Sequence, residues 1–423
     1  MAIESEYRPR LADIQLKAEL DAFGAVLIVG PKWCGKTTTA EHAAKSAIYM
    51  RDPEMRDRYA SIAEMKPSNI LNGDNPRLID EWQSSPKLWD AVRHSVDMRG
   101  LTGLYILTGS AVVDETAMMH TGAGRISRMR MRTMSLYESG DSTGEVSLGS
   151  LFSRPGEIDG SSDLDLSDVA RILVRGGWPA SVGASEETAH KRVSGYCESI
   201  VRYGVSAIDG RRRDPDKARA VLRSLSRNTS SVASSAAILK GAAREGGSMH
   251  LNTLNDYVSA LKRLYVADDL PAWSPRLRSK TTIRTSDKRH LADPAIAAYF
   301  LGASPGDLEM DPETFGLLFE SMAVRDFRAY AQALGGDVYH YRDKYGLEAD
   351  LVIHLHDGRW GAAEVKLGPG RIDEGASSLK RLRDKVDSEA MNAPSFLAVV
   401  TSGGFAYTRG DGVHVIPIGC LKD

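Results

Sequence analysis

The run Gly30-Pro31-Lys32-Trp33-Cys34-Gly35-Lys36-Thr37 spaces two glycines, a lysine and a hydroxyl in a pattern that can close around a chain of phosphates. In G-x-x-x-x-G-K-[ST], successive backbone N–H groups converge on the anion, and the glycines permit close backbone approach. Lys36 is expected to reach the β and γ phosphates, and the Thr37 hydroxyl to ligate Mg2+. Thr38 belongs to the same nucleotide-binding turn. The expected ligands are ATP and Mg2+.

A second group of candidates closes two other apolar runs. Asp80 and Glu81 follow Arg77-Leu78-Ile79. There Asp80 would hold Mg2+ through its water shell, and Glu81 would orient or deprotonate an attacking water. Two adjacent acids alone are ordinary surface residues; the phosphate loop upstream is what favours a catalytic role. Thr108 and Ser110 end the run from Gly103, where a hydroxyl would meet the attacking water or the γ phosphate, or would simply be a polar loop group. Arg125, Arg128, Arg130 and Arg132 are interleaved with Ile126, Met129 and Met131. The alternation fits a strand with one charged face, and one of these residues is a candidate arginine finger.

The elements that must position these groups are short. Ala25 to Val29 is an apolar run followed by the glycine loop and a small-residue helical stretch from Thr37, a strand–loop–helix order. Strands around 77–81 and 103–110, with a helical interval between them, imply a mostly parallel sheet. Composition shifts to Gly, Ser and Asp after Glu138, which places a boundary near residue 145. The next block reads as mainly helical. Leu254, Tyr257, Val258, Leu261 and Leu264 share one helical face, with Asn252 or Thr253 as the expected cap. Beyond residue 290 a helix is expected from Phe315 to Leu334. Two strands, Ala349 to His356 and Trp360 to Leu367, are joined by Asp357-Gly358 as a hairpin. The expected domains are 1–145, 146–285 and 286–423.

The chain resembles prokaryotic AAA-type P-loop ATPases whose C-terminal domain, of formerly unknown function, looks like a PD-(D/E)xK nuclease. The phosphate loop carries the resemblance, with Leu78-Ile79-Asp80-Glu81-Trp82-Gln83, Leu107-Thr108-Gly109-Ser110, Gly124-Arg125 and Met134-Ser135-Leu136-Tyr137-Glu138. Arg175-Gly176-Gly177-Trp178-Pro179 and Leu291-Ala292-Asp293-Pro294 extend it downstream. The resemblance implies an α/β fold class: an AAA-like parallel-sheet domain, a helical middle region with winged-helix character, and a restriction-endonuclease-like C-terminal domain. It favours Arg125 as the finger. Departures are Lys32 and Trp33, where the family often has arginine, and a loose segment from Gly140 to Ser161.

In the C-terminal hairpin, alternation puts Glu364 and Lys366 on one face and Val365 on the other. Asp350 heads the partner strand and Glu320 lies on the preceding helix. In a nuclease-like site Asp350 and Glu364 would hold a divalent metal, Lys366 would position the nucleophilic water, and Glu320 would complete the shell. His354 and His356 share a strand face but lack a third ligand at metal spacing, so an exposed strand edge is expected.

Bulk properties bound the partners. The formal net charge is -2, so any nucleic-acid surface must be regional. One basic stretch, Arg276, Arg278, Lys280, Arg284, Lys288 and Arg289, reads equally as a DNA-backbone contact or a solvated hairpin; Arg211-Arg212-Arg213 says less. Cys34, Cys197 and Cys420 are odd in number and far apart, as in a reducing compartment. The chain has no long apolar run and no signal-like N-terminus, so a cytoplasmic location without a membrane is expected. DNA, a second copy of the chain and a protein partner all remain open. The functional expectation is an ATPase coupled to a nuclease-like domain, the alternative a regulatory ATPase whose C-terminal domain binds without cutting.

Overall fold

A computed structural model describes residues 7–109, 122–154, 156–275, 286–386 and 391–423. Contacts gather the chain into two units: residues 1–132 with 206–211 and 263–265, and residues 133–205, 212–262 and 266–423.

The first unit runs α1 (Leu11–Ala22), β1 (Ala25–Val29), α2 (Lys36–Ala43), β2 (Ser46–Tyr49), α3 (Arg56–Met65), β3 (Arg77–Asp80), α4 (Lys87–Arg99), β4 (Tyr105–Thr108) and β5 (Ile126–Arg130). The five strands are parallel and lie in the order β2-β3-β4-β1-β5. Both sheet faces are covered, which is why β1 is apolar throughout rather than alternating. Ala25 and Leu27 face a core with Trp82, Trp89 and Val92, whereas Val26 and Ile28 face Leu16, Leu20 and Ala40. The three sequence-read strands thus sit side by side, with β4 between the loop-bearing β1 and the acid-bearing β3.

The second unit holds a seven-stranded mixed sheet. In chain order its region contains β6 (Val146–Ser147), β7 (Gly160–Ser162), β8 (Gly336–Arg342), β9 (Glu348–Leu355), β10 (Trp360–Val365), β11 (Leu397–Thr401), β12 (Gly404–Thr408), β13 (His414–Pro417) and β14 (Leu421–Lys422). The large sheet has the order β7-β12-β13-β11-β10-β9-β8, and β6 pairs separately with β14. The β9–β10 hairpin forms as expected around Asp357-Gly358, antiparallel with Leu351 opposite Ala363. The helix read over 315–334 spans Pro312–Ala333.

Two local expectations change. The helix carrying Leu254 and Tyr257 starts at Leu251, so Asn252 and Thr253 lie inside it; Leu254 N–H already donates to His250 O. The segment expected to be loose contains a helix, Leu148–Ser153, and β7, which joins the sheet edge at Gly404–Ala406 while Glu145 accepts from Ser161 N–H. On the charged face of β5 the Arg128 guanidinium lies 5.8 Å from the Trp89 ring centroid and that of Arg130 5.2 Å from Tyr265.

Sequence signatures away from any phosphate meet in the second unit. Asp293, fully buried, accepts from Thr133 Oγ1, Gly177 N–H and Ala295 N–H, and takes the Arg325 guanidinium at 3.2 Å. Arg325 also bonds Asp326 at 2.8 Å, and Asp326 accepts from Leu136 N–H. Gly177 is required by proximity, since a Cβ there would lie 2.3 Å from Met134 O. The Gly-Gly-Trp-Pro, Ala-Asp-Pro and Met-Ser-Leu runs therefore form one buried polar joint.

Candidate functional site

The phosphate loop leaves β1 at Gly30, whose φ of +150° and whose carbonyl-crowded position exclude a side chain: a Cβ would stand 2.1 Å from Met131 O. The loop ends at Gly35 in the left-handed region, and α2 begins at Lys36, directing its first N–H groups at the loop's mouth. Trp33 has φ +64° and a largely exposed side chain, so the departure from the family's arginine is displayed outward. Pro31, Lys32 and Cys34 complete the curve. Lys36 is buried, its Nζ donating to Gly30 O at 3.0 Å and Pro31 O at 2.7 Å.

Sheet order explains the next step. Asp80 on β3 is in register with Thr108 on β4, and β4 neighbours β1. Thr37 Oγ1 donates to Asp80 Oδ1 at 2.7 Å and Thr108 Oγ1 to the same oxygen at 2.6 Å. Two hydroxyls and a carboxylate gathered beside a phosphate loop are the hard oxygen ligands Mg2+ prefers, so these residues fit the ion. Thr37 and Asp80 would hold it directly or through water. Ser110 lies outside the described residues.

Glu81, one residue past the strand, adopts φ +53°, uncommon for a side chain without special affinity for the left-handed region. Its Oε2 accepts from Gln83 Nε2 at 2.8 Å and pairs with Arg51 at 3.1 Å. The bend turns Glu81 away from the strand direction followed by Asp80, giving the two acids separate positions. Backbone strain of this kind costs roughly 1–3 kcal/mol and clusters at working sites.

One supporting group has no local sequence signal. Arg10, buried at the N-terminus of α1, donates to Cys34 O at 2.8 Å and Arg132 O at 3.0 Å. It ties the tip of the loop to the end of β5. Tyr7 adds a stack on His42 of α2, ring centroids 4.1 Å apart, and a 3.2 Å hydroxyl contact with Thr39. Charged hydrogen bonds of this type contribute about 1.5–3 kcal/mol. Arg10→Met is expected to weaken ATP binding roughly tenfold, read by titration with a fluorescent nucleotide; unchanged affinity would show that the loop holds its shape without the clamp.

Arg125 is not brought to this site. Ile126 pairs with Ala25, at the start of β1, and Arg125 O accepts from Ala25 N–H, so Arg125 lies at the sheet edge opposite the loop. Five strand residues, roughly 16 Å, separate it from Arg130 at the loop edge. Its guanidinium pairs with Asp97 at 2.7 Å. The residue's own chain therefore cannot use it as a finger.

The C-terminal acids do converge. The β9–β10 register sets Asp350 beside Glu364, and Glu320 projects from the helix Pro312–Ala333. Lys366 Nζ lies 2.6 Å from Glu364 Oε2 and 3.8 Å from Asp350 Oδ2, confirming the shared face of Glu364 and Lys366. Val365 N–H donates to Asp350 Oδ2. A second ammonium is present: Lys288 Nζ sits 2.6 Å from Glu320 Oε1 and 3.2 Å from Asp350 Oδ1. Burial pushes the Glu320 and Glu364 carboxyls up to about 8, and Asp350, despite its burial, is held below the usual range by Lys288 and Lys366. Among the described residues no group of three or more His, Cys, Asp or Glu is arranged to hold a metal.

Lys288 and Arg289 thereby leave the basic stretch. Lys288 is 7% exposed, and Arg289 pairs with Asp269 at 2.7 Å, so neither is a solvated wing residue or available to a DNA backbone. Arg276, Arg278, Lys280 and Arg284 lie outside the described residues. Arg213 is buried against Asp256. His354 is half-buried, accepting from Trp273 Nε1 at 3.4 Å, because β9 is an interior strand; His356 is exposed and pairs with Asp337. All three cysteines are buried and free. Among the described residues no helix is long and apolar enough to cross a membrane.

Residues 22–139 match the family described as AAA domain, residues 166–307 a domain of unknown function (DUF8612), and residues 315–421 another domain of unknown function (DUF4143). Two curated relatives, uncharacterized protein Mb2031c of Mycobacterium bovis and uncharacterized protein Rv2008c of Mycobacterium tuberculosis, are each 23% identical over 414 residues, covering 96% of this chain and 83% of their own length. Among solved structures, the Walker-type ATPase PABY2304 of Pyrococcus abyssi aligns at a TM-score of 0.42 and 15% identity, over 70% of this chain and 97% of its own. With its all-parallel sheet and its glycine loop between β1 and α2, the segment matched by the AAA domain model has a P-loop NTPase fold.

Proposed function

We propose that this protein binds ATP with Mg2+ at residues 30–38 and hydrolyses it, passing the nucleotide state to its C-terminal domain. The observation that supports this reading is the meeting of Thr37 and Thr108 on one oxygen of Asp80, beside a loop built to hold phosphates. On this reading the loop N–H groups and Lys36 hold the β and γ phosphates, which requires the Lys36 ammonium to exchange its two carbonyl partners for phosphate oxygens. Thr37 and Asp80 would hold Mg2+, which would supply positive charge to offset the phosphates. Water adds to the γ phosphorus as the bond to the ADP oxygen breaks, and Glu81 takes the water's proton. Thr108 positions Asp80 or the water. If Arg125 serves as a finger it does so toward a neighbouring copy, which makes a homo-oligomer part of that proposal.

For the C-terminal domain we infer a PD-(D/E)xK-like fold, supported by the adjacency of Asp350, Glu364 and Lys366. A winged-helix contribution is supported by the antiparallel bridges Ala267 to Leu291 and Leu270 to Lys288, which follow the helix Leu251–Arg263 as a wing would. Between cutting DNA and binding a partner without cutting, the second is favoured by one observation: each of the three acids is already paired with one of two lysines. The test is phosphate release with Mg2+ by the wild type and Lys36→Ala, with linear and circular DNA in parallel tubes. ATPase activity lost in Lys36→Ala with intact DNA is expected. DNA cutting abolished by Glu364→Ala would replace the binding reading with a nuclease.

A further inference from the structure

The C-terminal cluster contains three carboxylates, from a helix and two strands, and two ammonium groups. Glu320 comes from Pro312–Ala333, Asp350 from β9 and Glu364 from β10; Lys366 follows β10, and Lys288 arrives on a segment bridged to Leu270. Every member is at least mostly buried. Lys288 lies between Glu320 and Asp350, at 2.6 Å and 3.2 Å, and its backbone is fixed by reciprocal hydrogen bonds with Leu270 at 2.8 Å. Its ammonium is therefore held in the cluster by the fold and by two acids at once.

We propose that Lys288 is the resident cation of this cluster, and that its ammonium, lodged between Glu320 and Asp350, keeps a divalent metal from binding there. Charge makes the case. Three carboxylates against two ammonium groups leave a formal charge of minus one, half of what a divalent ion would cancel. Removing the Lys288 ammonium leaves three carboxylates and one ammonium, a charge of two that one divalent ion cancels. Geometry agrees: ammonium–carboxylate contacts run to about 2.7–2.9 Å, whereas Mg2+ must approach oxygens to about 2.0–2.1 Å and cannot share the Glu320–Asp350 gap with a lysine head. The lysine at position 288 thus separates the nuclease-like arrangement from a metal site. This rests on the C-terminal reading given above, and it assigns the basic residue nearest the hairpin to an internal role.

The experiment is Mn2+ titration of the full chain without nucleotide, followed by the free-Mn2+ paramagnetic resonance signal. The wild type is expected to show no uptake that Asp350→Asn or Glu364→Gln removes. Lys288→Met should gain one site at least tenfold tighter than any in the wild type, and Lys288→Met with Asp350→Asn should lose it. Should Lys288→Met fail to fold, Lys288→Gln, which keeps a hydrogen-bond donor, is expected to gain the site and to show Mn2+-dependent thermal stabilisation. Wild-type uptake sensitive to Asp350→Asn, or folded Lys288 variants that gain no site, would overturn the proposal. Wild-type metal uptake at Asp350 without DNA cutting overturns the lysine's role alone; wild-type uptake with cutting overturns the non-cleaving reading as well.

Discussion

Glu81→Gln is expected to lower ATP turnover a hundredfold or more while leaving ATP binding within a small factor of the wild type, the loss that follows removal of a catalytic base. The separation follows from position. The groups that would meet phosphate and Mg2+ are Lys36, which bonds the Gly30 and Pro31 carbonyls, and the bonded pair Thr37 and Asp80, and Glu81 takes part in none of these contacts. Glu81 is turned out of the β3 direction by its left-handed backbone and is steadied by Gln83 and Arg51. Glutamine keeps the size and the hydrogen-bonding capacity toward Arg51 but cannot accept a proton. Lys36→Ala should instead lose binding and turnover together. Single-turnover phosphate release beside equilibrium nucleotide binding separates the two outcomes, and a Glu81→Gln turnover within a few-fold of wild type would remove the residue from the mechanism.

The second large effect concerns stability. Arg325→Met is expected to destabilise the protein by about 3–5 kcal/mol, because it strands two buried carboxylates, Asp293 and Asp326, that face the same guanidinium. Three further donors to Asp293, from Thr133, Gly177 and Ala295, hold its carboxylate in place, so it cannot relax toward water. Burial already pushes Asp326 up to about 6 even with its arginine. Thermal unfolding of the full chain should show a fall on the order of 10 °C. Arg325→Met with Asp326→Leu should recover part of it, since removing a buried pair is far milder than breaking one. A single-variant loss below about 1 kcal/mol would mean that the joint is open to water.

These expectations draw on parts of the chain that differ in how visible they were. The strand–loop–helix around Gly30 and the acid-ended strand at Asp80 were legible because glycine spacing, an apolar run and helix onset are all local signals. The hairpin was legible for the same reason: Asp357-Gly358 fixes the turn, and alternation fixes which side chains share a face. Glu364 and Lys366 consequently meet where the sequence put them. Arg125 shows the limit. Its place beside Gly124 made it a candidate finger, yet the parallel register of β5 on β1 sets it at the far sheet edge.

What the sequence by itself determined is the nucleotide loop, its strand and helix, the acids at the end of β3 and the C-terminal hairpin with its residue faces. Only the tertiary structure decided which distant charges complete or neutralise these groups. Lys288 reaches Asp350 from 62 residues upstream and Arg10 reaches Cys34 from 24. Asp293 joins Gly177 from 116 residues away. The reason is physical: periodicity and turn chemistry act over a few residues, whereas a buried charge is matched by whatever partner the packing of remote elements delivers, and in sequence that partner looks like any solvated lysine or arginine.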